Sequence, residues 1–249
     1  MFITGSRGFL GESVSALFPD AQRDLKGQDF SYQRNFRGTV IHLACPNKVA
    51  ESIRNPDKYY NNSLDLIRFI RNNNVDRMIY MSTGSSSIYG DRWKAREEDA
   101  NFNTCTNPYG TAKIIAENII RQMVPSYCIL RLANVVGANA LGVMSNVHAH
   151  LMNDNPIRVF GDRPMREFVH IHNVMDTIKR VVEWETEGTY NIGSEVETNI
   201  RTLADWYGAE RDVPIEVVPG RIGDHEYHTT MNCDAAMKAG LLTRHQDRL

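Results

Sequence analysis

A short apolar run, Met1-Phe-Ile-Thr4, leads directly into Gly5-Ser-Arg-Gly8-Phe-Leu-Gly11, and residues 9–18 continue with helical character. Glycines at that spacing, between a strand and a helix, permit a tight turn and let backbone approach a pyrophosphate closely. The helix start adds N–H donors and the positive end of its dipole. A strand that feeds a helix in this way needs a parallel partner reached by crossover, so the first eleven residues already point to βαβ architecture. The GxxGxxG spacing differs from the GxGxxG of ordinary dinucleotide loops.

The chain then repeats that rhythm. Asp20–Arg23 reads as a brief second strand and Thr39-Val-Ile-His-Leu-Ala44 as a buried one. Residues 56–73 read as an amphipathic helix with Tyr60, Leu64, Ile67 and Ile70 on its apolar stripe. Arg77-Met-Ile-Tyr-Met-Ser82 is a further strand, residues 108–123 a helix, Tyr127-Cys-Ile-Leu-Arg-Leu132 a strand, residues 173–187 a helix and Thr189-Tyr-Asn-Ile-Gly193 a strand. The pattern predicts an α/β fold, a Rossmann-type doubly wound parallel sheet that binds ligands at the carboxyl ends of its strands. After residue 133 short strands, loops and glycines take over. The division expected is a dinucleotide-binding domain of residues 1–135 and 166–193, and a small C-terminal substrate lobe of residues 136–165 and 194–249. Only 28 residues lie between Gly11 and Val40. This predicts that one strand and its helix are missing, leaving the adenosine side open.

Tyr109-Gly-Thr-Ala-Lys113 follows Asn107-Pro108 and opens a helix. Positions i and i+4 share a helix face, and an ammonium beside a phenol favours the phenolate, which makes an acid/base device. A Ser/Thr cluster at 82–87 closes the strand before it. At the end of the second strand, Arg23 and Asp24 point to different cofactors. A carboxylate would accept the 2′-OH of NAD, and a guanidinium would hold the 2′-phosphate of NADP.

Composition excludes several classes. A net charge of −2 gives no electrostatic case for nucleic acid or an anionic membrane. No apolar run approaches the ~20 residues needed to span a bilayer, and the first residues do not read as a secretory signal. The four cysteines, Cys45, Cys105, Cys128 and Cys233, are widely spaced with no CxxC, which predicts free thiols and a cytoplasmic protein. The HxH pairs His148/His150 and His170/His172 have no third ligand at zinc-like spacing, so no metal is expected.

Longer segments carry a resemblance. Val40-Ile-His-Leu-Ala44 with Lys48-Val-Ala-Glu-Ser52, Pro56-Asp-Lys-Tyr-Tyr-Asn-Asn62, Met81-Ser-Thr-Gly-Ser-Ser-Ser-Ile-Tyr-Gly90 and Arg131-Leu-Ala-Asn134-Val-Val-Gly137 are four of them. Val159-Phe-Gly-Asp-Arg-Pro-Met-Arg166-Glu-Phe168-Val-His-Ile, Tyr190-Asn-Ile-Gly193 and Arg221-Ile-Gly-Asp224 complete the set. Together with the glycine loop and the Tyr/Lys pair, they resemble the extended short-chain dehydrogenases, in particular nucleotide-sugar epimerases of the UDP-hexose 4-epimerase type.

The resemblance implies roles. Gly5, Arg7, Gly8, Phe9, Leu10 and Gly11 would hold the cofactor, helped by Arg23, Leu43, Ala44, Lys48 and Asn62, with Tyr109 and Lys113 reaching the nicotinamide end. The cofactor expected is NAD, with NADP as the alternative. Tyr109 would be the catalytic acid or base, Lys113 its electrostatic partner, and Thr83 the hydroxyl on the reacting sugar oxygen. Counting back from Tyr89-Gly90 instead gives Ser85 that role. Thr83, Asn134, Asn146, Val147, Arg166, Phe168, Arg221 and Asp224 would line the nucleotide-sugar pocket. Relatives pair through two helices, which implies a homodimer built on the helices at 56–73 and 108–123.

The activity so implied is epimerisation of a nucleotide-diphosphate sugar by transient hydride transfer at C4. A 4,6-dehydratase would need an Asp-Glu pair where Gly84-Ser85 follow Thr83. The alternatives are an NADPH-dependent reductase of a nucleotide-linked 4-keto sugar and, outside enzymes, a non-catalytic dinucleotide-binding module.

Overall fold

The computed structural model describes residues 1–24, 29–137, 156–161, 165–219 and 229–243. Its centre is a six-stranded sheet: β1 (Phe2–Thr4), β2 (Gln22–Arg23), β3 (Arg37–His42), β4 (Asn74–Thr83), β5 (Ser126–Leu132) and β9 (Gly188–Ile192). The spatial order is β2-β1-β3-β4-β5-β9, and every neighbouring pair is parallel. The chain runs outward from β1 to β2 and then returns to pair β3 on the other side of β1. That reversal leaves a crevice at the carboxyl ends of β1 and β3, where open α/β sheets bind ligands.

Strand periodicity divides the core into two layers. Phe2, Val40, Met78, Tyr80 and Ile129 face one side of the sheet, and Ile3, Ile41, Ile79, Met81, Cys128 and Leu130 face the other. The first layer is covered by α3 (Pro56–Asn72) and α5 (Pro108–Met123), which pack on each other. They are preceded by the shorter α2 (Val49–Arg54) and α4 (Ser86–Tyr89). The second layer is covered by α1 (Phe9–Leu17) and α6 (Ile171–Glu183), which also touch each other and contribute Val14, Val174, Ile178 and Val181.

Helix boundaries follow local chemistry. Asn55 and Asn107 cap α3 and α5 by accepting the N–H of Lys58 and Gly110, and a proline occupies the first turn of each helix. The inward face of α3 is Tyr59, Leu66, Phe69 and Ile70. This corrects the stripe through Tyr60 and Leu64, since Leu64 is 51% exposed. The helix carries two adjacent apolar stripes, and the sheet takes the one rich in aromatics.

Between β2 and β3 the described residues form a single 3-10 turn, Phe30–Tyr32, and no helix.

Two small sheets flank the carboxyl edge. One joins β6 (Asn134–Val136), β8 (Met165–His170) and β10 (Glu197–Asn199), and the other joins β7 (Ile157–Phe160) to β11 (Ile215–Val218) beside α7 (Ile200–Arg211). The C-terminal α8 (Asp234–Lys238), grouped with the lobe on sequence, instead returns to the large core, where Met231, Cys233, Ala236, Leu241 and Leu242 are buried. No helix among the described residues is long and apolar enough to cross a membrane.

Candidate active site

The glycine loop folds as its spacing requires. Gly5 adopts a φ of +67°, and a Cβ there would lie 2.8 Å from the backbone of Leu43 and Ala44. A Cβ on Gly11 would lie 2.0 Å from the Gly5 carbonyl oxygen. The loop closes by a hydrogen bond from Gly8 N–H to that same carbonyl at 3.0 Å. Gly8 is the N-cap of α1 and has no side chain to satisfy the helix's first N–H groups, those of Phe9, Leu10 and Gly11. Free donors at a nine-residue helix start, beside a turn stripped of side chains, form a cradle for a diphosphate. The chain therefore fits a dinucleotide at this edge.

Asp24 closes the cradle. Its carboxylate accepts the N–H of Gly5 at 2.7 Å and of Ser6 at 3.0 Å, together with the Ser6 hydroxyl at 2.5 Å. Arg7 reaches the Asp24 carbonyl at 3.3 Å. Arg23 turns the other way, donating to the carbonyls of Ser15 at 3.0 Å and Pro19 at 3.1 Å. The carboxylate, not the guanidinium, is the charge aimed at the loop.

The facing wall is the segment after β3. Thr4 Oγ1 accepts the N–H of Leu43 and Ala44 and contacts His42 Nδ1 at 2.8 Å. From α3, Asn62 donates to the Ala44 carbonyl at 3.0 Å. The Tyr59 hydroxyl donates to the Lys48 carbonyl at 2.6 Å and accepts its N–H at 3.1 Å. Asn62 and Tyr59, one turn apart, thus pin both ends of residues 44–48, and the Lys48 side chain is exposed.

The helix α5 brings Tyr109 and Lys113 to this crevice. Its start is pressed close to α4: a Cβ on Gly110 would lie 1.9 Å from the Ser87 carbonyl oxygen. Lys113 is 7% exposed and donates to the Met81 carbonyl at 2.8 Å. Its ammonium lies 5.8 Å from the Tyr109 ring centre and 5.0 Å from that of Tyr80. Tyr109 and Lys113 line one small cavity with Cys45, Tyr59, Asn62 and Tyr80. Burial would lower the ammonium's pKa, but Cys45, Tyr109 and Glu117 reverse that and hold Lys113 above the ordinary lysine value.

The β4 strand carries Thr83 two residues past Met81. Thr83 is buried, and its hydroxyl lies 3.1 Å from that of Ser85, which caps α4. The two candidates for the catalytic hydroxyl are thus hydrogen-bonded to each other at one strand end.

A buried charge cluster fixes α5 in place. Glu117, one turn after Lys113, is fully buried and receives Arg131 through Nε at 3.0 Å and Nη2 at 2.7 Å. Ser82 donates to it at 2.6 Å and Arg121 at 2.9 Å. Arg131 also donates to the Tyr89 hydroxyl at 3.0 Å. Burial raises the Glu117 carboxyl, and the two guanidiniums and Ser82 more than reverse this, holding it below the usual carboxylate range. The sequence contained a trace of this cluster, because Tyr109, Lys113 and Glu117 follow one another at four-residue steps.

The pocket residues expected from the sequence are spread more widely. Asn134 donates to the Glu167 carbonyl at 2.9 Å and Arg166 to the Met165 carbonyl at 2.7 Å. The Phe168 ring is 2% exposed and packs with Val136 and Ile200 in the core of the small sheet, so it is a packing residue there. Asn146, Val147, Arg221 and Asp224 lie outside the described residues. Among the described residues no group of three or more His, Cys, Asp or Glu side chains could hold a metal ion.

Comparison with known proteins gives concordant matches. The model of the NAD dependent epimerase/dehydratase family matches residues 22–193. A UDP-glucose 4-epimerase of Caenorhabditis elegans is 27% identical over 225 residues, covering 74% of this chain and 64% of the relative, so this chain spans less than two thirds of that protein. A crystal structure of UDP-glucose 4-epimerase from Thermotoga maritima with UDP-glucose superposes with a TM-score of 0.77 at 22% identity, covering 95% of this chain and 91% of the other. The Thermus thermophilus UDP-glucose 4-epimerase in complex with NAD gives 0.78 at 19% identity over 97% and 93%. At those identities the structural likeness shows a shared fold.

Proposed function

The chain belongs to the NAD dependent epimerase/dehydratase family, and on that premise we propose that it is an NAD-dependent 4-epimerase of a nucleotide-diphosphate sugar. The observation that carries the reading is the approach of Lys113 from α5 to the Met81 carbonyl, beside Tyr109 and two residues before Thr83. That contact ties α5, which carries Tyr109 and Lys113, to the strand that ends in Thr83, and this supports the reading. The matched relatives that act on UDP-glucose favour a UDP-hexose as substrate.

Gly5, Gly8, Gly11 and the first N–H groups of α1 hold the cofactor diphosphate, and Asp24 meets the adenosine ribose. An uncharged ribose 2′-OH suits that carboxylate, whereas a 2′-phosphate would be repelled by it, which favours NAD over NADP. When bound, the nicotinamide supplies reversible hydride acceptance at the sugar C4. Tyr109 takes the C4 hydroxyl proton and later returns it, with the Lys113 ammonium one helical turn away, 5.8 Å from the centre of its ring. Thr83, supported by Ser85, donates a hydrogen bond to the reacting oxygen and orients it. We also propose a homodimer through α3 and α5, which pack on each other and carry Tyr60, Leu64, Ile67, Ile115 and Ile119, none of them fully buried. A single species of monomer mass in sedimentation at micromolar concentration would remove that part.

The test is to denature the purified protein, identify released nucleotide by mass spectrometry, and assay interconversion of UDP-glucose and UDP-galactose. NAD(H) with interconversion supports the proposal. Tyr109→Phe should then lose turnover by roughly 10²–10⁴-fold while retaining cofactor. Recovery of NADP(H) with net reduction of a keto sugar would replace the proposal with a reductase. Failure to bind either dinucleotide would replace it with a non-catalytic module.

A further inference from the structure

The Tyr109 phenol and the wall of the cofactor crevice lie on different elements, α5 and the segment after β3, and α3 touches both. Asn62 of α3 donates to the Ala44 carbonyl at 3.0 Å, and Ser63 donates to the Ala112 carbonyl of α5 at 3.3 Å. Tyr59, one turn earlier, reaches both elements with one side chain. Its hydroxyl donates to the Lys48 carbonyl at 2.6 Å and accepts the Lys48 N–H at 3.1 Å. Its ring meets the Tyr109 ring edge to face, with centres 6.3 Å apart and planes at 88°. Both rings line the small cavity that Lys113 also lines.

Tyr59 is 2% exposed, and a phenol side chain has few torsions to fix, so packing leaves it rigid. Tyr109 is only half-buried, so the angle of its ring depends on what it leans against. Lys113 ties α5 to β4 through the Met81 carbonyl, but it sits on the same helix as Tyr109. Tyr59 joins the phenol itself to a second helix, in the edge-to-face arrangement that aromatic pairs favour. At the other end of Tyr59, the Glu51 carboxylate lies 3.3 Å from the hydroxyl. A hydroxyl has one proton, and the shorter contact to Lys48 takes it. Burial pushes the Tyr59 hydroxyl up to about 12, so that proton stays in place at neutral pH.

We propose that Tyr59 is a positioning residue that registers the Tyr109 phenol against the dinucleotide: its ring edge sets the angle of the phenol, and its hydroxyl sets the crevice wall at Lys48. One rigid side chain thereby holds the proton-transferring group and the cofactor wall at a fixed separation. A small misplacement of either group is costly to a reaction that needs both aligned. The effect on turnover rests on the epimerase reading, whereas the two contacts of Tyr59 do not.

The experiment uses the full chain, freed of nucleotide. NAD affinity is read by fluorescence titration, and kcat is read at saturating NAD and UDP-glucose, below the Tm of each variant. Tyr59→Phe keeps the ring and releases Lys48, and it should weaken NAD about three- to tenfold. Tyr59→Leu removes both contacts. It should weaken NAD as much and bring kcat roughly tenfold or more below that of Tyr59→Phe. If Tyr59→Leu does not fold, Tyr59→Met takes its place. The ring contact is also read without turnover: Tyr59→Leu and Tyr109→Leu together should lower Tm by less than the sum of the two single changes. NAD affinity in Tyr59→Phe within about 1.5-fold of the parent overturns the wall role. Equal kcat in the Phe and Leu variants, or additive Tm changes, overturns the ring role. Variants that lose Tm alone, with NAD affinity and kcat intact, reveal a packing residue and overturn the whole proposal. A parent that binds NAD but interconverts no sugar nucleotide refutes the epimerase reading, and the titration and the Tm comparison then decide the two contacts by themselves. A parent that binds no NAD overturns both.

Discussion

The Glu117–Arg131 pair is a place where a single atom change should have a large and calculable effect. Glu117→Gln keeps the side-chain shape and removes the charge, leaving the Arg131 guanidinium, 2% exposed, with no carboxylate. The glutamine carbonyl still accepts one bond, but its NH₂ points a donor at Arg131 Nη2, which now sits 2.7 Å from a carboxylate oxygen. Arg121 is 29% exposed and can turn to solvent, so it adds little to the loss. Breaking a buried pair by removing one partner costs about 3–5 kcal/mol. For a chain of this size that is a fall in Tm of roughly 6–20 °C. Thermal unfolding followed by circular dichroism, and the midpoint in urea, read it directly. The pH dependence supplies an independent check. The Glu117 carboxyl is lowered in the fold, so its stabilisation is complete above the unfolded-state value of about 4.3 and disappears as pH falls through the folded value. The parent should lose stability over that acid range, and Glu117→Gln should lose less. Adding Arg131→Met to Glu117→Gln should recover part of the loss, since replacing both partners leaves no orphaned charge. A Tm fall below ~2 °C for the single variant would refute the view that this pair holds α5 in place.

Three further outcomes follow from the geometry. Gly11→Ala would place a methyl 2.0 Å from the Gly5 carbonyl oxygen and 2.7 Å from Ser6 backbone carbon, so the loop must open; NAD binding by fluorescence titration should drop at least tenfold. Asp24→Ala removes the acceptor for three donors of Gly5 and Ser6; it should weaken NAD binding more than NADP binding, and equal losses for both would contradict the ribose assignment. Glu167 is raised by burial to about 7 despite backbone donors from Met231, Glu195 and Ser194. Its neutral form is therefore the one the fold favours, so the stabilisation it gives is full below about 4.3 and is lost as pH rises through 7. Urea midpoints of the parent should decline between pH 5 and 7.5, and Glu167→Gln should flatten that decline.

The sequence revealed the sheet and its crevice because both are written in local pattern. The alternating faces of Phe2/Ile3, Val40/Ile41 and Met78/Ile79 need only a two-residue period, and the glycine loop needs only its spacing and its place after a strand. Helix caps such as Asn107-Pro108 were equally legible. What could not be read was pairing across the chain. Nothing in the spacing of Cys45 and Lys113, 68 positions apart, shows that sulfur and ammonium share a cavity. Phe168 could be given a ligand role from its motif, yet a phenylalanine on a strand has two faces to choose from, and the small sheet takes its ring inward. Arg23 and Asp24 were separable only once the direction of each side chain was known.

The hydroxyl turn shows how far such distant pairing reaches. Gly84 stands between Thr83 and Ser85, and a Cβ there would lie 2.0 Å from Met231 Sδ. Met231 is fully buried, its Cε would also crowd a Cβ on Gly193, and its N–H donates to Glu167 at 2.7 Å. The neighbouring Thr230 carbonyl and Asn232 N–H bond to Ala95, and the Thr229 hydroxyl bonds to the Gly90 carbonyl at 2.6 Å. Residues 229–232 therefore form a strap beneath the strand end that carries the candidate catalytic hydroxyls, although the family match ends at residue 193. Met231→Ala empties the space under Gly84, and a methionine truncated in a core costs about 2–5 kcal/mol. If the strap positions Thr83, the variant should lose kcat beyond what its instability explains, measured well below its own Tm. Met231→Leu, which refills the volume, should restore most of it. Unchanged kcat in a destabilised but folded Met231→Ala would show that the strap only holds the fold together and that Thr83 is fixed by β4 alone.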